Sequence, residues 1–223
     1  LFSLLSCSSS EKEQLETALA FADTNRAELE KVLEYYKNDS LKLKAAIYLI
    51  ENMPLYYTYK GSDLDSLHIA LEQYAVSDSY DKHLEYLKRF PYRNLFKEYD
   101  AKVITSEYLI ENIEYSFKVW RETPWGKYVS FDNFCEFILP YRIKDEPLTH
   151  WKKDFYHRFK PVLDSLYQGT DVVEATSCLS NYATSIHWKY QNELTGPHLS
   201  AQLLLELQLG DCTSIADFGC YML

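Results

Sequence analysis

Apolar residues return along most of this chain at the three- and four-residue spacing of a single helical face. Leu29, Val32, Leu33 and Tyr36 form such a stripe behind Asn25 and Glu28, a pairing that predicts a capped helix start. Asp39-Ser40 opens a second run with Leu43, Ala46, Ile47 and Ile50 inward. Pro54 ends it after Met53, since proline has no amide hydrogen to give. The same spacing predicts helices near 63–75, 79–89 and 105–121. Thr105 or Ser106 caps the last of these, and Leu109, Ile110, Ile113, Phe117 and Trp120 form its stripe.

Beyond the break at Pro124-Trp125-Gly126 the pattern predicts a short helix near 131–138 and a turn over Leu139-Pro140-Tyr141-Arg142. Long helices follow near 147–168 and 171–191, then a short one over 199–209 carrying Leu203, Leu204 and Leu207. Gly210 is placed to end that helix in a left-handed turn, which costs glycine little. Asp211 then caps a final helix with Cys212 in its first turn. No run of five residues alternates as a half-buried strand does, so the expected class is all-α, with no sheet beyond an incidental pair.

Composition narrows the reading. An apolar content of 47% supplies a core for one or two domains. Twenty tyrosines against six glycines suit a tightly packed helical body with aromatic-rich faces. A net charge of −10 without a Lys/Arg cluster argues against nucleic acid and against charge-driven binding to anionic lipid. None of the five cysteines has metal-ligand spacing, so neither a metal nor another cofactor is expected. Glu136, Arg142, Asp145 and Glu146 crowd the Pro-Tyr-Arg turn and read as a structural ion-pair network. The clusters at Tyr35-Tyr36 and Tyr56-Tyr57-Thr58-Tyr59 read as packed helix faces and their rims.

The opening stretch Leu1-Phe2-Ser3-Leu4-Leu5-Ser6-Cys7 resembles the close of a bacterial lipoprotein signal peptide. The resemblance implies that residues 1–6 are removed, that Cys7 is acylated, and that 7–14 form a polar tether. It implies a cell-envelope protein, periplasmic or on the cell surface, held to a membrane by its lipid alone. Such a compartment permits disulfides, and spacing leaves both a Cys135–Cys178 bridge and two buried thiols open.

Cys212 carries the candidate chemistry. Unpaired amide N–H groups and the positive end of the helix dipole favour a thiolate at a helix start, and the thiolate is the nucleophilic form. Cys220 is expected on the buried face. The run "HLSAQLLLELQLGDCTSIADFGCYML" resembles the cysteine box of the transglutaminase-like superfamily, whose catalytic domain is papain-like. The runs "SFDNFCEFILPYRIKDEPLTHWKKDF", "LKAAIYLIENMP" and "EYLIENIEYSFKVW" are similar to bacterial lipoproteins that carry this domain behind a helical region.

That resemblance implies a helical region over 15–122 and, over 123–223, the first helices of an α+β domain whose sheet lies outside this chain. It implies that Cys212 attacks an amide or peptide carbonyl of a protein or peptide substrate and forms a thioester. Trp188 or Gln208, with Gln202 a further choice, would assist the Cys212 amide at the oxyanion. The histidine base and its acidic or amide partner follow the cysteine helix in the family. His68, His83, His150, His157, His187 and His198 all precede Cys212, so this stretch is expected to be an inactive piece of a longer parent. Hydrolysis and cross-linking both remain open, as does the alternative of a tethered helical interaction module with a degenerate domain.

Overall fold

Among the described residues, side chains cap the starts of several helices near where the sequence predicts them. Asp39 accepts from the amides of Leu41 (3.2 Å) and Lys42 (3.1 Å), and Asp171 from those of Val173 (2.7 Å) and Glu174 (3.4 Å). Thr105, Ser130 and Ser200 each accept one amide, from Tyr108, Asn133 and Leu203, all at 3.2 Å. Each such cap contributes about 1 kcal/mol to the helix it opens. The computed structural model describes residues 9–76, 82–185, 188–192, 194 and 196–222.

In chain order the helices are α1 Ser9–Phe21, α2 Arg26–Tyr35, α3 Ser40–Asn52, α4 Asp63–Ala75, α5 Lys82–Leu87, α6 Ser106–Glu122, α7 Phe131–Phe137, α8 Trp151–Leu166, α9 Val172–Thr184, α10 Ala201–Leu207 and α11 Cys212–Met222. Strands β1 Tyr57–Lys60 and β2 Phe96–Tyr99 pair antiparallel, with Tyr57 opposite Tyr99, and bracket α4 and α5. Strands β3 Lys189–Tyr190 and β4 Leu209–Gly210 pair parallel. Helix accounts for 68% and strand for 6%, so the protein is mostly helical, with two small sheets among the described residues where the sequence suggested at most one pair.

The largest core gathers α1, α2, α3, α6 and α7 around Leu29, Ile50, Met53, Ile113, Phe117 and Phe134. Complete burial of side chains of this size contributes about 1.5–3 kcal/mol each. A second core joins Leu67, Leu71 and Tyr74 of α4 to Leu209 of β4. A third packs Phe155 and Phe159 of α8 against Leu204 of α10 and Phe218 and Tyr221 of α11. Side chains from both sides of residue 122 share the first two cores.

Several elements differ from the sequence expectation for identifiable reasons. Asn25 and Glu28 do not cap α2. Asn25 Nδ2 donates to the carbonyls of Ala101 (3.0 Å) and Ile104 (2.9 Å), and Glu28 accepts from the Ser106 amide (2.8 Å) and hydroxyl (2.7 Å) at the start of α6. The pair that looked local therefore fastens α2 to a segment far along the chain. Helix α9 stops at Thr184, because Lys189 and Tyr190 are claimed by β4 and the Gln191 side chain by the Tyr74 hydroxyl at 2.7 Å. Cys135 and Cys178 are free thiols, the first buried.

Helix α8 begins at Trp151, later than its pattern suggested, because the chain before it is held open by two buried cations. Arg142 Nη1 donates to the carbonyls of Tyr57 (2.8 Å), Lys144 (3.2 Å) and Glu146 (3.0 Å). Its Nη2 donates to Thr58 Oγ1 (3.0 Å) and Asp100 Oδ1 (2.7 Å), and Nε lies 2.7 Å from Asp100 Oδ2. The Tyr141 hydroxyl adds a 3.0 Å bond to the same carboxylate. Lys152 Nζ lies 2.6 Å from the Ile138 carbonyl, 2.9 Å from that of Pro140 and 2.7 Å from Ser116 Oγ. Burial draws the Lys152 amine down to about 7, while each of these partners accepts and so holds its three hydrogens in place.

Arg142 thus has its ion partner in Asp100, outside the acidic cluster around the turn. Glu136 instead accepts from the Tyr48 hydroxyl, and Asp145 from the amide of His198. Burial lifts the Asp100 carboxyl to about 6 against the pull of Arg142 and Tyr141. Arg142→Met should cost about 3–5 kcal/mol in denaturant unfolding near neutral pH, because it leaves that carboxylate buried without its cation. The loss should shrink toward pH 5, where Asp100 takes up a proton.

Candidate functional site

The corner between α10 and α11 holds the cysteine that the sequence singles out. Helix α10 is closed by Gln208, whose backbone is left-handed (φ 49°, ψ 40°) and whose amide donates to the Leu204 carbonyl at 3.0 Å. The left-handed residue is therefore Gln208, whereas the sequence pointed to Gly210. Gly210 lies in β4, opposite Tyr190, and its carbonyl accepts from the Gln191 amide at 3.1 Å. A Cβ at Gly210 would stand 2.2 Å from that of Ser214, so glycine is required here by the close approach of the first turn of α11.

Asp211 caps α11 as expected: its Oδ1 accepts from the Ser214 amide (2.9 Å) and hydroxyl (3.1 Å). Cys212 is the first helical residue and is exposed. The other thiols differ in setting. Burial pushes Cys135 up to about 11, and burial with the nearby Asp217 raises Cys220. Cys220 is exposed as a residue, against the expectation that it faces the core. Cys7 and His187 lie outside the described residues.

Trp188 and Gln202 make other side-chain contacts, and Gln208 is held through its backbone. Trp188 packs edge-on against Phe218 with ring centres 5.0 Å apart, which makes it a wall of the third core. Gln208 closes α10 and gives its carbonyl to the Lys189 amide at 2.7 Å. Gln202 accepts from the Thr149 hydroxyl and donates to Asp154 at 3.2 Å.

One arrangement escaped sequence reasoning. His198 Nδ1 lies 2.7 Å from Asp217 Oδ2, and the Asp217 residue is 7% exposed. The His198 amide is fixed by Asp145 Oδ1 at 2.9 Å. Asp217 raises the histidine above its ordinary 6.5, against the opposing effect of burial. Both residues border a cleft of about 350 Å³ together with Leu67, Leu71, Thr213 and Ser214. At about 100° per residue, Thr213, Ser214 and Asp217 share one flank of α11 and Cys212 lies on another, outside that cleft. The trace in the sequence was a lone acid between Ala216 and Phe218 in an otherwise uncharged helix.

Among the described residues no group of three or more His, Cys, Asp or Glu is placed to hold a metal ion, and no helix is long and apolar enough to cross a membrane. Comparison with known protein families, curated proteins and solved structures finds no match for this chain.

The geometry of the pair sets a titration that can be read directly. An NMR pH titration should place the His198 midpoint above 6.5, and Asp217→Asn should bring it down. The pairing contributes stability that is complete below 6.5 and is lost as pH rises through the raised midpoint. Removal of Asp217 should therefore destabilise the fold at pH 6 more than at pH 9.

Proposed function

We propose that this chain carries the nucleophile of a lipid-anchored, transglutaminase-like cysteine enzyme, with Cys212 as that nucleophile and Cys7 as the site of acylation. The observation that supports it is the placement of Cys212: exposed, at the first residue of a capped helix, with the resemblance of the surrounding run pointing to the same atom. At a helix start, amide N–H groups and the positive dipole end favour a negative charge. Cys135, pushed up by burial, is poorly suited to the role.

In the proposed reaction the Cys212 thiolate attacks the carbonyl carbon of an amide. A C–S bond forms, the C–N bond breaks, and the nitrogen leaves as an amine with a proton supplied by the catalytic acid. Water or a second amine then attacks the thioester, which regenerates the thiol and yields an acid or a new amide. In the family that the cysteine box resembles, the histidine and its acidic or amide partner follow the cysteine helix. The helical region before residue 123 would then present the catalytic domain from the membrane tether.

In the intact parent at neutral pH, iodoacetamide should modify Cys212 at least about tenfold faster than Cys135 or Cys220, measured by mass spectrometry of timed digests. A glutamine-containing peptide should leave an acyl adduct on Cys212 that Cys212→Ala abolishes. Equal alkylation of Cys212 and Cys220, with no adduct on the wild type, would overturn the reading.

A further inference from the structure

We propose that the cleft between α4, residues 196–199 and α11 is a separate hydrolytic site, in which His198 takes a proton from a water molecule attacking a short-chain carboxylic ester. The site does not involve Cys212, so it stands or falls independently of the cysteine chemistry proposed above.

The geometry fixes the histidine before any ligand arrives. Asp217, itself buried, accepts from Nδ1 at 2.7 Å, which leaves Nε2 as the basic ring nitrogen when the ring is neutral. Pro197 precedes the residue, and Asp145 fixes its amide at 2.9 Å. A histidine oriented by a buried carboxylate at the edge of an open cavity is the arrangement that general-base catalysis needs. A purely structural tie between α11 and the preceding loop would be served equally by a ring enclosed on all sides. This ring instead borders about 350 Å³ of open space.

The walls indicate the ligand. Leu67, Leu71, Leu87 and Leu194 give one side an aliphatic surface suited to a short acyl chain. Gly196, at φ 145°, keeps its backbone close to this wall: a Cβ there would stand 3.2 Å from Leu67 Cδ2. Asp211 and Asp217 make the opposite side acidic, which disfavours a bound carboxylate and so favours the neutral ester over its acid product. In the reaction the water oxygen forms a bond to the acyl carbon as its proton moves to His198. The bond to the alkoxy oxygen then breaks, and that oxygen leaves as an alcohol with the proton returned from the imidazolium.

The charged groups around His198 are Asp217 on α11 and Asp211 at its cap, with Asp145 and Lys144 on the segment before α8; Tyr92 also borders the cleft. Asp217 and Asp145 favour the imidazolium and Lys144 opposes it, so the neutral, basic ring gains population as pH rises above 6.5.

The test uses p-nitrophenyl butyrate and the full chain carrying Cys212→Ala, so that the thiol is silent. Saturable hydrolysis should appear with a rate that climbs through the His198 midpoint measured by NMR. Adding His198→Gln should reduce the rate on the order of 100-fold, and Asp217→Asn should move the rising limb to lower pH. Leu194→Trp fills the cleft while leaving both members of the pair in place. It should raise KM strongly without shifting the His198 titration, and it decides the matter if His198→Gln fails to fold. A rate that is the same with and without His198, or unaffected by Leu194→Trp, would overturn the proposal.

Discussion

The guanidinium of Arg142 and the carboxylate of Asp100 are enclosed together, with each side chain only 1% exposed, and segments remote in sequence meet on them. Arg142 holds the carbonyl of Tyr57 in β1, the hydroxyl of Thr58 and the carbonyls of Lys144 and Glu146. Glu146 in turn accepts from the amides of Ile143 and Lys144, and its carboxylate faces the buried hydroxyl of Tyr221 on α11. The ion pair thereby links the β1–β2 sheet to the irregular stretch before α8, and Trp151 carries that junction on to Tyr221 of the last helix. Such a pair adds little to net stability once desolvation is counted. Its importance lies in specificity, since any other arrangement of these segments would leave the two charges buried apart.

Lys152, in the first turn of α8, has the complementary role. Its ammonium draws together the carbonyls of Ile138 and Pro140 and the hydroxyl of Ser116, and thereby fastens α8 to α6. Trp151 extends the same junction: its indole N–H donates to the Tyr141 carbonyl at 2.8 Å, and its ring lies 4.8 Å from that of Tyr221. Residues 138–150 are consequently irregular for a physical reason, because their carbonyls answer to buried cations and cannot also serve a helix ladder. The α10–α11 corner, with Cys212 at the surface and the His198–Asp217 pair beneath, is positioned against this junction through Tyr221 and Phe218.

The sequence was informative where structure is local. The sequence places α3, α4, α6 and α7 within one or two residues, and Asp39 and Thr105 act as the caps read from it, on amides in their own first turns. It was uninformative where partners are remote. Asn25 and Glu28 look like a helix cap and instead bind residues 101–106. The strands are too short to show an alternation, with β3 and β4 covering two residues each. Asp100 and Asp217 carry no signal in the sequence, since nothing adjacent to them announces Arg142 or His198. The site divides the same way: the Asp211–Cys212 helix start was legible, whereas the left-handed Gln208 and the histidine–aspartate pair were not.

Through these contacts the Arg142–Asp100 pair is expected to couple the opening of β1 to that of α11. Native-state hydrogen exchange of Asp100→Asn against the wild type measures this most directly. Amides of α11, distant in sequence, should lose protection by the same factor as those of β1 and α6. Unchanged protection in α11, with the loss confined to β1 and its neighbours, would contradict it.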